Sequence, residues 1–497
     1  MKKKNFAGGA VILALAIGIS KVLSAVFKIP LDRIFLHADG MAVFNGAYNI
    51  YSFFFTLATA GLPLAVSKLI ASSKDAKERG EAFFTALIFS EGVLLISAIV
   101  IFFSADQISR FTGIDGSSSS IRVMATALIF LGFTAAFRGL FQGELIMLPP
   151  SLSQVFDAFG RLIVGFAGAY LFFGSGIYKA STAAMTGVFA GAALSAFTLF
   201  LFWRRGFKAL PLSFSPEKLK YLLIIAAPIT LTATMHPVFN LIDTLSVVQC
   251  LENAGFSASN EAFGALTRAS TLYTLPVSIA AAVSASVLPS IALSAQKGDR
   301  AGESRDASLS LRMVLFISAP CAAGFIALSG DILSLLYDSA IYSAALWAIA
   351  LSAPFAALSA AIAAILQGKG KIISSSICVG TAFAAKIILN IFLIPLFSVT
   401  GAAAATSLAY ILCTLMLLIL LLRGGISLNI QNVFAKPAIC ASVCGAGAYF
   451  SAKVLPTPLA ILIAAIIYLP MVFITKFMTF DEIKYALGKD EKIEQKA

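Results

Sequence analysis

The chain is a succession of long apolar runs separated by short stretches that carry charge, glycine and proline. Fourteen runs can be bounded: residues 6–27, 43–69, 82–103, 121–141, 152–173, 180–203, 219–248, 262–295, 309–328, 341–366, 374–397, 402–422, 433–454 and 459–477. A helix needs about 20 apolar residues to cross the hydrocarbon core. Each run meets that length, which predicts fourteen transmembrane helices. The runs are continuous and do not alternate, which excludes a closed β-barrel. The longest connection is residues 104–120, so no soluble domain is expected between the spans. Lys2, Lys3 and Lys4 followed by an apolar run resemble a leader peptide, but the run is long enough to span and thirteen more follow it. The predicted fold class is an all-α polytopic membrane protein.

Polar positions within the runs fall on helical faces. In the second run Asn45, Asn49, Ser52, Thr56 and Thr59 follow spacings of four and three. In the eighth, Thr267, Thr271, Thr274 and Ser278 do the same, with Arg268 beside them. Such stripes serve either as polar contacts between helices or as a shared water-facing surface.

Composition agrees with lipid as the main solvent. The 497 residues are 59% hydrophobic and 12% charged, with mean hydropathy +0.93; a soluble domain carries roughly 25% charge. The net charge of +12 would suggest nucleic acid in a soluble protein. Here it sorts by topology. Placing the amino terminus in the cytoplasm puts 24 of the 36 basic residues in cytoplasmic segments, with six in outside loops and six in spans. This bias predicts both termini inside. The loop at Glu144 has no basic residue to support its placement. The six basic residues in spans are Lys21, Arg138, Arg161, Arg268, Arg312 and Lys386, against the acids Glu91, Asp157 and Asp243. Each mid-bilayer charge costs about 2.5–3.5 kcal/mol on insertion scales. A net-positive interior suggests an anionic ligand. Six cysteines without a CxxC pair, and two histidines, give no readable zinc or haem site, and no cofactor is expected.

The chain repeats itself. Pro63 and Arg79 recur as Pro289 and Arg305 at an offset of 226; Leu140-Phe141-Gln142-Gly143 recurs as Ile365-Leu366-Gln367-Gly368 at 225; Arg161 falls on Lys386 at 225 and Thr186 on Thr406 at 220. Six spans per repeat is an even number, so the halves share orientation, as in parallel-repeat transporters that bind substrate between halves and rock around it. The expected division is an amino-terminal lobe (1–205), a carboxy-terminal lobe (206–423), two extra helices (424–478) and a cytoplasmic tail (479–497).

The stretch FNGAYNIYSFFFTLATAGLPLAVSKLIA in the second run, Leu288-Pro289-Ser290, and the Gln-Gly pairs ending the fourth and tenth runs resemble the polysaccharide biosynthesis family of the multidrug, oligosaccharidyl-lipid and polysaccharide flippase superfamily. The branch it looks like is the stage V sporulation protein B type, related to lipid II flippases. The resemblance implies a non-enzymatic bacterial exporter of undecaprenyl-diphosphate-linked sugars with fourteen helices in two lobes. Its partners would be that lipid-linked diphosphate and membrane lipids, in a monomer of the plasma membrane. Flippases of this kind carry a cavity arginine near the position of Lys21. Arg268 lies eight residues before Pro276, whereas the lipid II branch is expected to place its basic residue about one turn closer, and Phe53, Phe54 and Phe55 stand where that branch tends to carry arginine.

The chemistry of the residues agrees with an anionic head group, which cationic side chains bind by charge-assisted hydrogen bonds. Lys21, Ser24 and Lys28 share a face of the first run. The expected substrate-binding residues are Lys21, Lys28, Asn45, Asn49, Arg268 and Lys386. Arg138 and Gln142, four apart at an inner end, suggest a gate or an interfacial pair. Asp157 and Arg161, also four apart, suggest a structural ion pair. Asp243, with His236 and Asn240 on its face, is a candidate for ion coupling; Asn390 and Thr406 would be co-ligands if the family's carboxy-terminal-lobe sodium site is kept. Lys386, one turn from Asn390, opposes that site. Two other classes fit less well: a multidrug cation antiporter, which favours an acidic cavity, and a membrane glycosyltransferase or ligase, which needs carboxylates on a sizeable outer loop.

Overall fold

The computed structural model describes residues 6–35, 38–206, 213–285 and 298–479, with 211, 291, 294 and 482. Several side chains of the first helix, Lys21 among them, and those of 281–285 lie outside that description. Among the described residues all regular structure is helical. The helices are α1 (Phe6–Phe35), α2 (Ala38–Thr59), α3 (Gly61–Ser72), α4 (Ala76–Phe103), α5 (Ala105–Thr112), α6 (Ser118–Ala127), α7 (Leu131–Gly143), α8 (Leu148–Phe172), α9 (Ile177–Gly206), α10 (Pro216–Ala233), α11 (Met235–Asn253) and α12 (Ser259–Ala285). They continue as α13 (Arg300–Ala327), α14 (Ser329–Tyr337), α15 (Ser343–Ala350), α16 (Ser352–Gly368), α17 (Ile372–Arg423), α18 (Lys436–Ala452) and α19 (Thr457–Ile474).

All fourteen apolar runs fall mainly on helix, and the end of the eighth leaves the described residues after 285. Among the described residues ten helical segments are long and apolar enough to cross a membrane, and α10 and α11 form an eleventh as a pair bent by 63°. One of the ten, α17, has 52 residues and contains both the eleventh and twelfth runs. They meet at Ser398, whose φ of 54° and ψ of −144° break the helix without a linker. With α1 and α12 this arrangement is compatible with fourteen crossings.

Local chemistry starts these helices where the charges end. Asp75 caps α4 by accepting from the Glu78 amide at 2.7 Å, and the Glu78 carboxylate accepts from the Lys74 amide at 2.8 Å. Asp299 caps α13 in the same way, through the Gly302 amide at 2.9 Å. Ser215 precedes Pro216 at the first position of α10, a favoured start because proline lacks the amide that would go unpaired there.

The chain divides into two compact units, residues 1–267 and 268–497. In the first, α8 packs along α9, α3 along α7, α10 along α3, and α11 against α2. Small residues allow the closest approaches. A Cβ on Gly187 would lie 2.5 Å from Gly165, and one on Gly191 would lie 2.4 Å from the Asp157 carbonyl. This is the Gly-x-x-x-Gly geometry that lets backbones touch. A Cβ on Gly61 would meet Thr230 and Ala226 of α10 at 2.2 and 2.4 Å, which accounts for a glycine where α2 turns into α3. In the second unit α13 packs on α16 and α18, α16 on α17, and α18 on α19.

Candidate functional site

In the first unit, α1, α2 and α8 bring together polar groups that lie far apart in sequence. Lys28 is half-buried; its Nζ donates to Asn45 Oδ1 at 2.8 Å and stands 4.5 Å from the Tyr48 ring centroid. Asp32, one turn along α1, is buried. Asn45 Nδ2 donates to Thr267 Oγ1 at 3.1 Å, and Asn49 Nδ2 donates to Thr244 Oγ1 at 3.0 Å. The upper part of the α2 stripe therefore contacts α11 and the first turns of α12. Ser52, Thr56 and Thr59 lower down are half-buried. Behind Tyr48, Arg161 donates to the Tyr48 hydroxyl and to Asp157 Oδ2, both at 2.7 Å. Its guanidinium also lies within 6 Å of the Tyr51 and Phe55 rings, the reach of a cation–π contact. Asp157 Oδ1, Arg161 Nε and the Tyr51 hydroxyl are buried without a hydrogen-bond partner among the described residues. Tyr48 is the element that sequence reasoning missed: it joins Lys28 to Arg161, and only its place on the Asn45–Asn49 face of α2 hinted at this.

Arg138 points inward. It donates to Ser153 Oγ at 3.0 Å and Ser195 Oγ at 2.9 Å, tying α7 to α8 and α9. Gln142 is half-buried, and no side-chain hydrogen bond joins it to Arg138 among the described residues. One residue past Gly143, Glu144 pairs with Arg79 at 3.0 Å, so the loop without basic residues sits at the same end of the unit as the basic start of α4. Glu91, the remaining acid of the early spans, opens on an apolar cleft of about 880 Å3 between α4, α9 and the residues before α7. Its Oε2 is buried without a hydrogen-bond partner among the described residues.

Asp243 is buried on α11, and Asn240 Nδ2 is 3.1 Å from His236 Nε2 on the same helix. In the second unit Arg268 is buried, its guanidinium 5.4 Å from the Tyr337 ring centroid. Lys386 is 0% exposed. Its Nζ donates to Thr406 Oγ1 at 2.7 Å and to the Ala402 carbonyl at 2.9 Å. Asn390, one turn along, is also fully buried. This geometry leaves Lys386 no surface for a diphosphate. It also bears on the sodium site that the family resemblance implies at Asn390 and Thr406. The ammonium already takes the Thr406 oxygen, and a second cation about 4 Å away would be repelled by about 4 kcal/mol at an effective dielectric constant of 20. The residues present do not fit a sodium ion. In the second unit Lys369 pairs with Glu303.

With this geometry in view, residues 6–295 match the family described as polysaccharide biosynthesis protein. The lipid II flippase MurJ of Bacillus subtilis (strain 168) is 30% identical over 445 residues, covering 81% of this chain and 80% of that protein. Stage V sporulation protein B of the same organism is 24% identical over 305 residues, 59% of each. Among solved structures, lipid II flippase MurJ in an inward closed conformation matches with a TM-score of 0.74 and 18% identity, over 94% of this chain and 98% of that one, which supports the fold. The chain therefore belongs to the polysaccharide biosynthesis protein family, within the multidrug, oligosaccharidyl-lipid and polysaccharide flippase superfamily.

Proposed function

We propose that this protein carries an undecaprenyl-diphosphate-linked oligosaccharide, lipid II or a related wall or polysaccharide precursor, from the inner to the outer leaflet of a bacterial plasma membrane by alternating access. The observation that carries this reading is the half-buried Lys28 ammonium, held by Asn45 over the Tyr48 face. A diphosphate is anionic and rich in acceptors, and an ammonium binds such a group by charge-assisted hydrogen bonds. In the second unit Arg268 is likewise a cation over an aromatic ring, that of Tyr337. Lys21 is a further candidate from its place in the sequence alone. The name of the 30%-identical relative supports a lipid-linked substrate, and the homologues point to a transporter with no chemical transformation of its cargo.

Depleting the protein in its host, with lipid-linked precursors measured by mass spectrometry, tests this directly. A precursor bearing an undecaprenyl diphosphate should accumulate, and its mass names the sugar. Lys28→Ala combined with Arg268→Ala should reproduce the accumulation at normal protein level. Unchanged precursor pools on depletion would sink the reading. Extrusion of lipophilic cations by the purified protein would favour a multidrug antiporter, and sugar transfer would favour an enzyme.

A further inference from the structure

We propose that the cleft at Glu91 is a binding site for a lipophilic organic cation taken from the bilayer, separate from the polar cluster around Tyr48. Its chemistry is set by one acid and four rings. Glu91 lies near the middle of α4 and is the one ionisable group among the described residues that line the cleft. Phe130, Phe133, Phe197 and Phe200 form its aromatic wall. The acid has a prepared seat. A Cβ on Gly132 would fall 2.6 Å from Glu91 Oε2 and 2.6 Å from its Cα, so bare backbone on α7 leaves the room that the carboxyl fills. Ser90 Oγ donates to the Gly132 carbonyl at 2.9 Å and fixes the two helices at that level. Glu91 Oε2 is buried and unpartnered among the described residues. A charge in apolar surroundings needs a counter-charge, and the lining of the cleft supplies none. The cleft holds about 880 Å3, inside the range of about 300–1,000 Å3 typical of small-molecule pockets. Ile88 and Phe197, which also line it, are 49% and 57% exposed, so its opening is apolar and admits a ligand already dissolved in hydrocarbon. Phenyl faces attract a cation, and the carboxyl completes the attraction. An acyl chain would fill the volume but leave the acid uncompensated, and an anion would be repelled by it.

The test is equilibrium dialysis of radiolabelled tetraphenylphosphonium against the full chain in phosphatidylcholine nanodiscs, with empty nanodiscs as the blank. Wild type should show saturable binding above the blank. Glu91→Gln keeps the shape and removes the charge, and should weaken binding by about tenfold or more. Ala196→Phe fills the cleft and keeps the charge, and should weaken it as much. Triphenylphosphine oxide, a neutral body of similar size, should compete poorly. Binding that is absent from wild type, unchanged in either variant, or displaced equally well by the neutral compound would overturn the proposal. If one variant does not give folded, monodisperse protein, the other variant and the competition decide. Failure here leaves the reading of a lipid-linked cargo untouched, since neither Lys28 nor Arg268 lines this cleft.

Discussion

A buried cation is held by what its own helix and the next one offer, and the two repeats offer different things. Arg161 has a carboxylate on its own helix and a tyrosine on α2; Lys386 reaches across to the following span. Breaking a buried pair by removing one partner leaves an uncompensated charge, which costs about 3–5 kcal/mol. Asp157→Ala should therefore lower the melting temperature strongly, and Asp157→Ala with Arg161→Met should recover much of the loss in a thermal-shift assay. A double variant no more stable than the single one would show that Arg161 matters for its contacts to Tyr48 and the neighbouring rings. The Asp157–Arg161 pair was legible in the sequence because both partners sit on one helix, where a spacing of four makes them neighbours. Lys28 with Asn45, Arg138 with Ser153 and Ser195, and Lys386 with Thr406 were not legible. Each joins different spans, and periodicity reports the face of a residue but not what packs on it.

Between helices, the side chains left out matter as much as those present. A Cβ at Gly139 would lie 2.5 Å from Val66 Cβ, and one at Gly143 would lie 2.7 Å from Ile70 Cβ, so α3 and α7 can lie together only over bare backbone. Gly139→Leu, or Gly187→Leu on α9, should abolish the monodisperse protein peak in size-exclusion chromatography. The same substitution at Gly380, which has open space, should be tolerated. After α19 the chain is fastened by Glu482 to Arg312 on α13. Burial pushes the Glu482 carboxyl up, but hydrogen bonds from Arg312 and Thr479 outweigh it and hold the group below the usual carboxylate range. A lowered folded value means the stabilisation is complete above the ordinary carboxyl pKa of about 4.3 and is lost as pH falls through the lowered one. Limited proteolysis after residue 474 should accelerate only in acid for wild type, and at neutral pH for Glu482→Gln.

For the whole molecule, an all-helical membrane fold was readable because lipid demands length and apolarity and nothing subtler. The corners were harder to read, since proline and glycine mark a bend without giving its angle, as at the 63° break after Ala233. Both termini are proposed to be cytoplasmic. Reporter fusions after residue 497 and within the Glu144 loop should both score as cytoplasmic; an outside score at Glu144 would contradict its pairing with Arg79. The corner at Ser398 carries a mechanical consequence. A serine at φ 54° and ψ −144° occupies backbone space that costs about 1–3 kcal/mol unless its surroundings enforce it. The two spans it joins have no slack between them and are cross-braced by Lys386 at Ala402 and Thr406. They should act as one stiff lever, transmitting any tilt of one arm to the other without loss of phase. Spin labels on the two arms should then keep a single narrow separation through every step of the transport cycle, however far the pair travels as a body.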